Sequence, residues 1–326
     1  MPSIEELYTF YKNNMIPSLI PLEKERKIIV RKFFSYLTIT IASSILFVGL
    51  LLFLFSIEKG IIYSIISVLF IINLFTIGIT YETISRRYKK KFNVDIIQKL
   101  IHFIDPTLTY EKYKSINLYS FEESNIFLKH VDEHEGSDLI YGKIGETKIE
   151  FSNLHTQYES KIKSRDGGTE TTLNTIFSGI FFVADFNKNF ITSLVILPDR
   201  VEKRFGKLWG SRIQSWNKKR GKLIKLENPE FEKYFVVYGE DQIESRYILS
   251  PDLMERIVSF RKKIKKNIYL SFVNNKVFIA ISTQNLFAAR IFLNLLQFKT
   301  IEKYYSSLRI GIDLVEDFNL NTRIWK

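Results

Sequence analysis

Three groups of side chains in this sequence have types and spacings that could do chemistry. The first is His130-Val131-Asp132-Glu133-His134-Glu135. Histidines four apart on one helix turn their rings to the same side and can share a metal ion, with neighbouring carboxylates completing the shell. His130 and His134 are therefore candidate metal ligands. The run is not His-Glu-x-x-His, and Gly136-Ser137 reads as a helix stop, so an exposed acidic helix end is the preferred reading. His102 and His155 stand alone. The second group is Glu227, Glu230, Glu240, Asp241, Glu244 and Arg246. Carboxylates can divide acid and base roles when burial separates their pKa values. Ion pairing and helix capping use the same residue types and take precedence, so no catalytic residue and no cofactor is assigned.

The third group is the basic stretch from Arg200 to Lys225. At 100° per residue Val201, Phe205, Leu208, Trp209, Ile213 and Trp216 fall on one face, with Lys203, Arg204 and Lys207 opposite, as on a helix lying in a lipid interface. Gly206 and Gly210 each cost such a helix about 1 kcal/mol. A linker packing its tryptophans on a sheet is the preferred reading. Trp209, Trp216, Lys218, Lys219 and Arg220 remain candidates for lipid contact. Arg165-Asp166-Gly167-Gly168 lacks the Lys-Ser/Thr of a phosphate loop, and no Gly-x-Ser-x-Gly occurs.

These groups sit in a chain of 326 residues with net charge +12 and no cysteine. Disulfides, thiolate metal sites and cysteine nucleophiles are thereby excluded. The positive charge favours anionic surfaces. It comes with no nucleic-acid recognition motif, which disfavours a nucleic-acid partner.

Apolar residues concentrate near the amino end. No side chain is ionisable at neutral pH from Phe33 to Ile57, or again from Ile61 to Tyr81. At about 1.5 Å per residue either run covers a hydrocarbon core of about 30 Å. Unpaired backbone amides are excluded from lipid, so each run must be helical, and the link Glu58-Lys59-Gly60 makes the two antiparallel neighbours. Lys24, Arg26, Lys27, Arg31 and Lys32 precede the pair, and Arg86, Arg87, Lys89, Lys90 and Lys91 follow it. Counting these charges places both termini in the cytoplasm. The second basic group also lies at headgroup level, and its five residues are lipid-contact candidates. Asn73 is the one side-chain amide in either run, and a hydrogen bond between helices is expected of it.

Around the hairpin, Ser3-x-x-Glu6 has capping-box spacing, and Pro17 and Pro21 are expected to end one helix and start the next. Tyr88, Phe92, Ile96, Leu100 and Ile104 recur every four residues, extending the second span as a helix that Asp105-Pro106 stops. From about residue 140 the pattern becomes that of strands. These are Thr147–Leu154, Ile176–Phe186, Phe190–Leu197, Tyr234–Tyr238, and Asn267–Val273 with Lys276–Ile281 around an Asn274-Asn275 turn. Asn187-Lys188-Asn189 joins the second and third of them. Ser160–Thr172 reads as an exposed loop. Pro251–Lys262 is helical, and Thr300 is expected to cap a last helix with a stripe of Ile301, Tyr305, Leu308, Ile312 and Val315.

Tyr141-Gly142-Lys143-Ile144-Gly145-Glu146-Thr147, Phe177-Ser178-Gly179-Ile180-Phe181-Phe182 and Leu226-Glu227-Asn228-Pro229-Glu230-Phe231-Glu232 resemble, in this order, the bacterial membrane protein family labelled domain of unknown function 3137. Asp241-Gln242 and Arg246-Tyr247-Ile248-Leu249 add to the likeness, which spans roughly residues 20 to 320. It implies a bacterial inner-membrane protein and supplies no activity.

The expected architecture is α+β. A helical segment at 1–32 leads into a transmembrane hairpin at 33–81 (33–57 and 61–81), then a juxtamembrane helix at 82–105. A cytoplasmic domain at 106–326 follows, with a largely antiparallel sheet and packed helices. The expected role is binding or scaffolding at a membrane. The expected partners are the lipid bilayer, anionic headgroups, and a protein or a second copy. An anchored hydrolase built on residues 227–246 and an oligomeric two-span channel are the alternatives.

Overall fold

The computed structural model describes residues 2–54, 59–163, 169–186, 190–199, 220–285, 287–318 and 320. Its helices are α1 Ile4–Phe10, α2 Ile16–Leu54, α3 Lys59–Phe92, α4 Lys99–Ile104, α5 Leu118–Glu123, α6 Pro229–Glu232, α7 Gln242–Ile248, α8 Pro251–Ile264 and α9 Phe298–Asp317. Its strands are β1 Thr109–Glu111, β2 Glu133–Ile144, β3 Thr147–Lys163, β4 Thr169–Asp185, β5 Leu194–Pro198, β6 Lys222–Ile224, β7 Phe235–Gly239, β8 Ile268–Val273 and β9 Lys276–Ser282. The architecture is α+β. Two compact units form: a helical one from residues 1–103 with 287–305, and a sheet unit from 104–286 with 306–326. Residues 287–305 thus group with the amino-terminal helices.

In the helical unit the Ser3 capping box closes α1: the Ser3 hydroxyl accepts from Glu6 N–H, and Ser3 N–H donates to the Glu6 carboxylate. The expected break at Pro17 and Pro21 does not occur. A π-helical turn over Tyr11–Met15 runs straight into α2, which continues through Pro21. The Ile16 N–H reaches back to the Tyr11 carbonyl, and this wide turn makes room for the Pro17 ring at the cost of a few backbone bonds. At 39 residues α2 is about 58 Å long, nearly twice the roughly 30 Å of a hydrocarbon core. α3 and α2 lie against each other. α3 passes through a second π-helical turn, Asn93–Gln98, into α4. A four-residue spacing overshoots an α-helical turn by about 40° per step. The π turn absorbs that drift, and Tyr88, Phe92, Ile96 and Leu100 are all buried. The helix ends at Ile104, before Pro106.

Among the described residues the sheet unit is built on nine strands in the order β1-β2-β3-β4-β9-β8-β5-β7-β6. Each recorded pairing is antiparallel. The β8–β9 hairpin pairs Val273 with Lys276, and Asn274 takes the left-handed conformation the turn requires, at φ 57°. β4 and β5, adjacent in the chain, are not neighbours: β4 pairs with β9, and β5 lies between β7 and β8. The segment expected to join them, Asn187–Asn189, lies outside the described residues. Of the expected loop Ser160–Thr172, residues 160–163 and 169–172 are strand. Its two arms continue β3 and β4 as a hairpin, and the Ser160 and Thr172 hydroxyls meet across it at 2.8 Å. Residues 164–168 lie outside the described residues.

Alternate residues of the central strands serve two cores. Leu154, Phe177, Phe181, Val183, Phe278 and Ala280 pack with Ile116, Phe121 and Ile126 on one side. On the other, Phe151 lies beside Phe182 and against Gly311 of α9. This double coverage explains the near-continuous apolar run at 176–184. α9 begins at Phe298, so Thr300 lies inside it and does not cap it; its hydroxyl donates to the Asn294 carbonyl at 2.8 Å.

Candidate functional site

The helical hairpin is the most distinctive surface of this chain. Among the described residues two helices are long and apolar enough to cross a membrane, and none of their most apolar stretches is buried. Ile39, Ile45, Leu46, Phe70, Ile71 and Phe75 are each at least 60% exposed. A helical pair hidden in a protein core would bury these side chains. Inside the pair, Asn73 Nδ2 donates to Ser44 Oγ at 2.7 Å and to the Leu69 carbonyl at 2.8 Å. The expected interhelical bond is made within the hairpin.

The base of the hairpin holds a device that sequence reasoning missed. Met15 of the π-helical turn and Leu19, Leu22, Arg26 and Ile29 of α2, spaced alternately by four and three residues, form one buried stripe. Arg26 therefore faces inward. Its Nε and Nη2 donate to the two carboxylate oxygens of Glu23, each at 2.7 Å, and both side chains are buried. Each partner also holds the segment 287–297. Arg26 Nη1 donates to the Ile291 carbonyl at 2.8 Å, and Leu295 N–H donates to Glu23 Oε2 at 3.1 Å. Burial pushes the Glu23 carboxyl up, but the Arg26 hydrogen bond and the Leu295 amide outweigh it and hold its pKa below the ordinary value. The Tyr11 hydroxyl donates to the Leu296 carbonyl and the Tyr304 hydroxyl to the Ala288 carbonyl. The segment is thus fixed along its length. A charge lying on an apolar stripe was the available signal, since Arg26 occupies the position where the heptad expects a Leu.

In the sheet unit a second polar cluster surrounds Asp138, at a bulge between Ser137 and Ile140. Asp138 is buried, in the left-handed region at φ 62°. Its carboxylate accepts from Tyr110 Oη at 2.6 Å, Ser137 Oγ at 2.6 Å and Asn153 Nδ2 at 3.2 Å, with Lys112 Nζ at 3.8 Å. Asn153, His155, Ser178 and Thr283 line an adjoining cleft of about 230 Å³. The buried Asn153 Oδ1 has no protein partner. The cleft lies below the usual size of an organic-ligand pocket and suits a few water molecules.

The metal reading of His130 and His134 loses its geometry, because Glu133–Ile144 is a strand. His130 is exposed beside Asp132, while His134 is partly buried near the Phe121 ring. The acidic helix end fails for the same reason. Among the described residues no three His, Asp or Glu side chains gather as metal ligands. The acidic residues at 227–246 are occupied locally. Asp241 caps α7, and Glu244 accepts from Ile191 N–H, Thr192 N–H and the Thr192 hydroxyl. Glu230 pairs with Lys262, and Glu227 lies 3.8 Å from Arg246.

Of the lipid-contact candidates, Arg86 and Lys90 are exposed. Lys89 pairs with Glu82 at 2.6 Å and lies over the Tyr81 ring, and Lys91 pairs with Glu25. The Arg87 side chain, Trp209, Trp216, Lys218 and Lys219 lie outside the described residues. Arg220 points inward: it donates to the Ile126 carbonyl at 2.5 Å, and burial pushes its pKa down to about 10.

Comparison with known proteins adds a family likeness and no activity. No protein of curated function matches the chain. The crystal structure of the mycobacterial trehalose monomycolate transport factor A, TtfA, is similar at 10% identity and a TM-score of 0.28. That likeness covers 64% of this chain and 90% of that one, and is too slight to bear on fold or function. A family model described as protein of unknown function (DUF3137) matches residues 175–320. The match takes in the Phe177–Phe182 and Leu226–Glu232 motifs, and supports the likeness to the DUF3137 family over residues 175–320.

Proposed function

We propose that this protein is a membrane-anchored binding or scaffold protein of the bacterial inner membrane. The hairpin crosses the bilayer twice, both termini lie in the cytoplasm, and the sheet unit is the binding part. The observation that carries this reading is the exposure of the apolar faces of α2 and α3. Leaving a large apolar side chain in water costs about 1.5–3 kcal/mol relative to burying it. The exposed side chains between Phe34 and Ile79 together represent tens of kcal/mol, more than the 5–15 kcal/mol that holds a typical domain together. Lipid is the solvent that removes this cost. The basic flanks support the sidedness. A binding role fits carboxylates at 227–246 that serve as caps and ion-pair partners, and Asn73 engaged with Ser44 supports an anchor over a polar channel lining.

The test is purification of the full chain from native membranes in lipid nanodiscs, after an alkaline carbonate wash, with bound protein and lipid both identified. The chain should resist the wash and carry a protein, a lipid or a second copy at fixed stoichiometry. Release by carbonate would remove the anchor. A washed chain that carries nothing at fixed stoichiometry would remove the binding role.

A further inference from the structure

We propose that the segment 287–297 is a third membrane contact, in which Phe292 enters the interfacial layer of the bilayer beside the two spans. The inference rests on the reading that those spans cross the membrane, and it adds an element that carries no apolar run of its own. Phe292 is 56% exposed, although its neighbours Ile291 and Leu295 are buried. Its ring lies 5.8 Å from that of Phe33, 6.4 Å from Phe34 and 6.2 Å from Tyr81, centroid to centroid. Phe33 is the first residue of the first apolar run and Tyr81 the last of the second. Phe292 therefore stands at the level where the chain passes from hydrocarbon to headgroups, the depth that aromatic rings favour. Its exposed face continues the exposed apolar surface of the spans, since Phe34 and Tyr36 are each 50% exposed. Arg31 and Lys32, just before the first span, and Arg290 in the segment itself are exposed, and suit the phosphates of the same layer.

The segment is held for this placement. Glu23 and Arg26 grip it at Leu295 and Ile291, Tyr11 at Leu296, and Tyr304 at Ala288 and Arg290. A ring fixed in advance loses little conformational entropy on entering lipid. The buried ion pair thereby gains a purpose: it locks a loop drawn from residues 287–297 to the base of the hairpin.

The chain has no cysteine, so single spin labels can be placed without background. Phe292→Cys, Ile45→Cys within the first span and Lys299→Cys on the exposed side of α9 would each carry a nitroxide. The full chain would be reconstituted in phosphatidylethanolamine–phosphatidylglycerol vesicles, and collision rates measured with oxygen and with a water-soluble nickel chelate. The label at 292 should collide with nickel severalfold less than that at 299, and show an oxygen-to-nickel ratio between those at 299 and 45. If the label at 292 matches that at 299 while the label at 45 is lipid-immersed, the third contact is refuted and the anchor stands. Nickel collisions equally high at 45, 292 and 299 would refute the anchor itself.

Discussion

Glu23 and Arg26, one turn apart on α2, meet through two hydrogen bonds of 2.7 Å inside the base of the hairpin. A buried ion pair is sound only when the remaining donors and acceptors are also satisfied. Here the Ile291 carbonyl and the Leu295 amide do that. Two residues from the start of the chain thereby fix a segment near its end.

Removing one partner strands a charge. Glu23→Gln or Arg26→Met should each lower the stability of the full chain in detergent by about 3–5 kcal/mol. The double variant Glu23→Gln/Arg26→Met should lose less than the sum of the two. A thermal-unfolding double-mutant cycle checks this, and additivity would show that the pair does not act as a unit.

The Asn73–Ser44 bond should contribute modestly, because apolar surroundings strengthen a hydrogen bond but also let the separated helices find substitutes. Asn73→Leu and Ser44→Ala should each cost about 1 kcal/mol, with the second change adding little after the first. Reversible unfolding in mixed micelles reads this coupling.

Asp138 accepts from three side chains in a buried bulge. Asp138→Ala should destabilise the sheet unit by about 2–4 kcal/mol by leaving the Tyr110 hydroxyl and the Asn153 amide without their acceptor. Asp138→Asn keeps the shape and tolerates the left-handed backbone, and should cost less. Denaturant melts followed by near-ultraviolet circular dichroism would compare the two, and equal losses would show that shape alone matters.

His134 gives the sheet unit a pH dependence of defined sign. Burial holds its folded pKa below the ordinary 6.5. The unfolded chain therefore binds the proton first as pH falls, so stability declines from about 6.5 downward and levels off below the folded pKa. His134→Phe should flatten that slope between pH 7 and pH 5. An unchanged slope would assign the dependence to other groups.

Much of this architecture is legible in the sequence because it depends on one-dimensional composition. The two uncharged runs, the stop at Asp105-Pro106 and the Asn274-Asn275 turn each need only local rules. β2 was harder to read. It has only the three-residue β1 beyond it, so its polar residues around His134 read as a helix end. The arms at 160–163 and 169–172 were missed for a similar reason, because little packs on that end of the hairpin to demand apolar residues. Arg26 was counted as a topogenic charge, since its burial depends on a segment 265 residues away. The inward turn of Arg220 toward Ile126 follows from the same kind of distant contact.

Sidedness is the most direct test of the account, and the cysteine-free chain makes it clean. Gly60→Cys in the link, Glu5→Cys near the amino end and Lys161→Cys on β3 would be offered a membrane-impermeant maleimide on intact spheroplasts. The account requires labelling at 60 without permeabilisation, and at 5 and 161 only after it. Labelling at 5 or 161 on intact spheroplasts, or protection at 60, would contradict it.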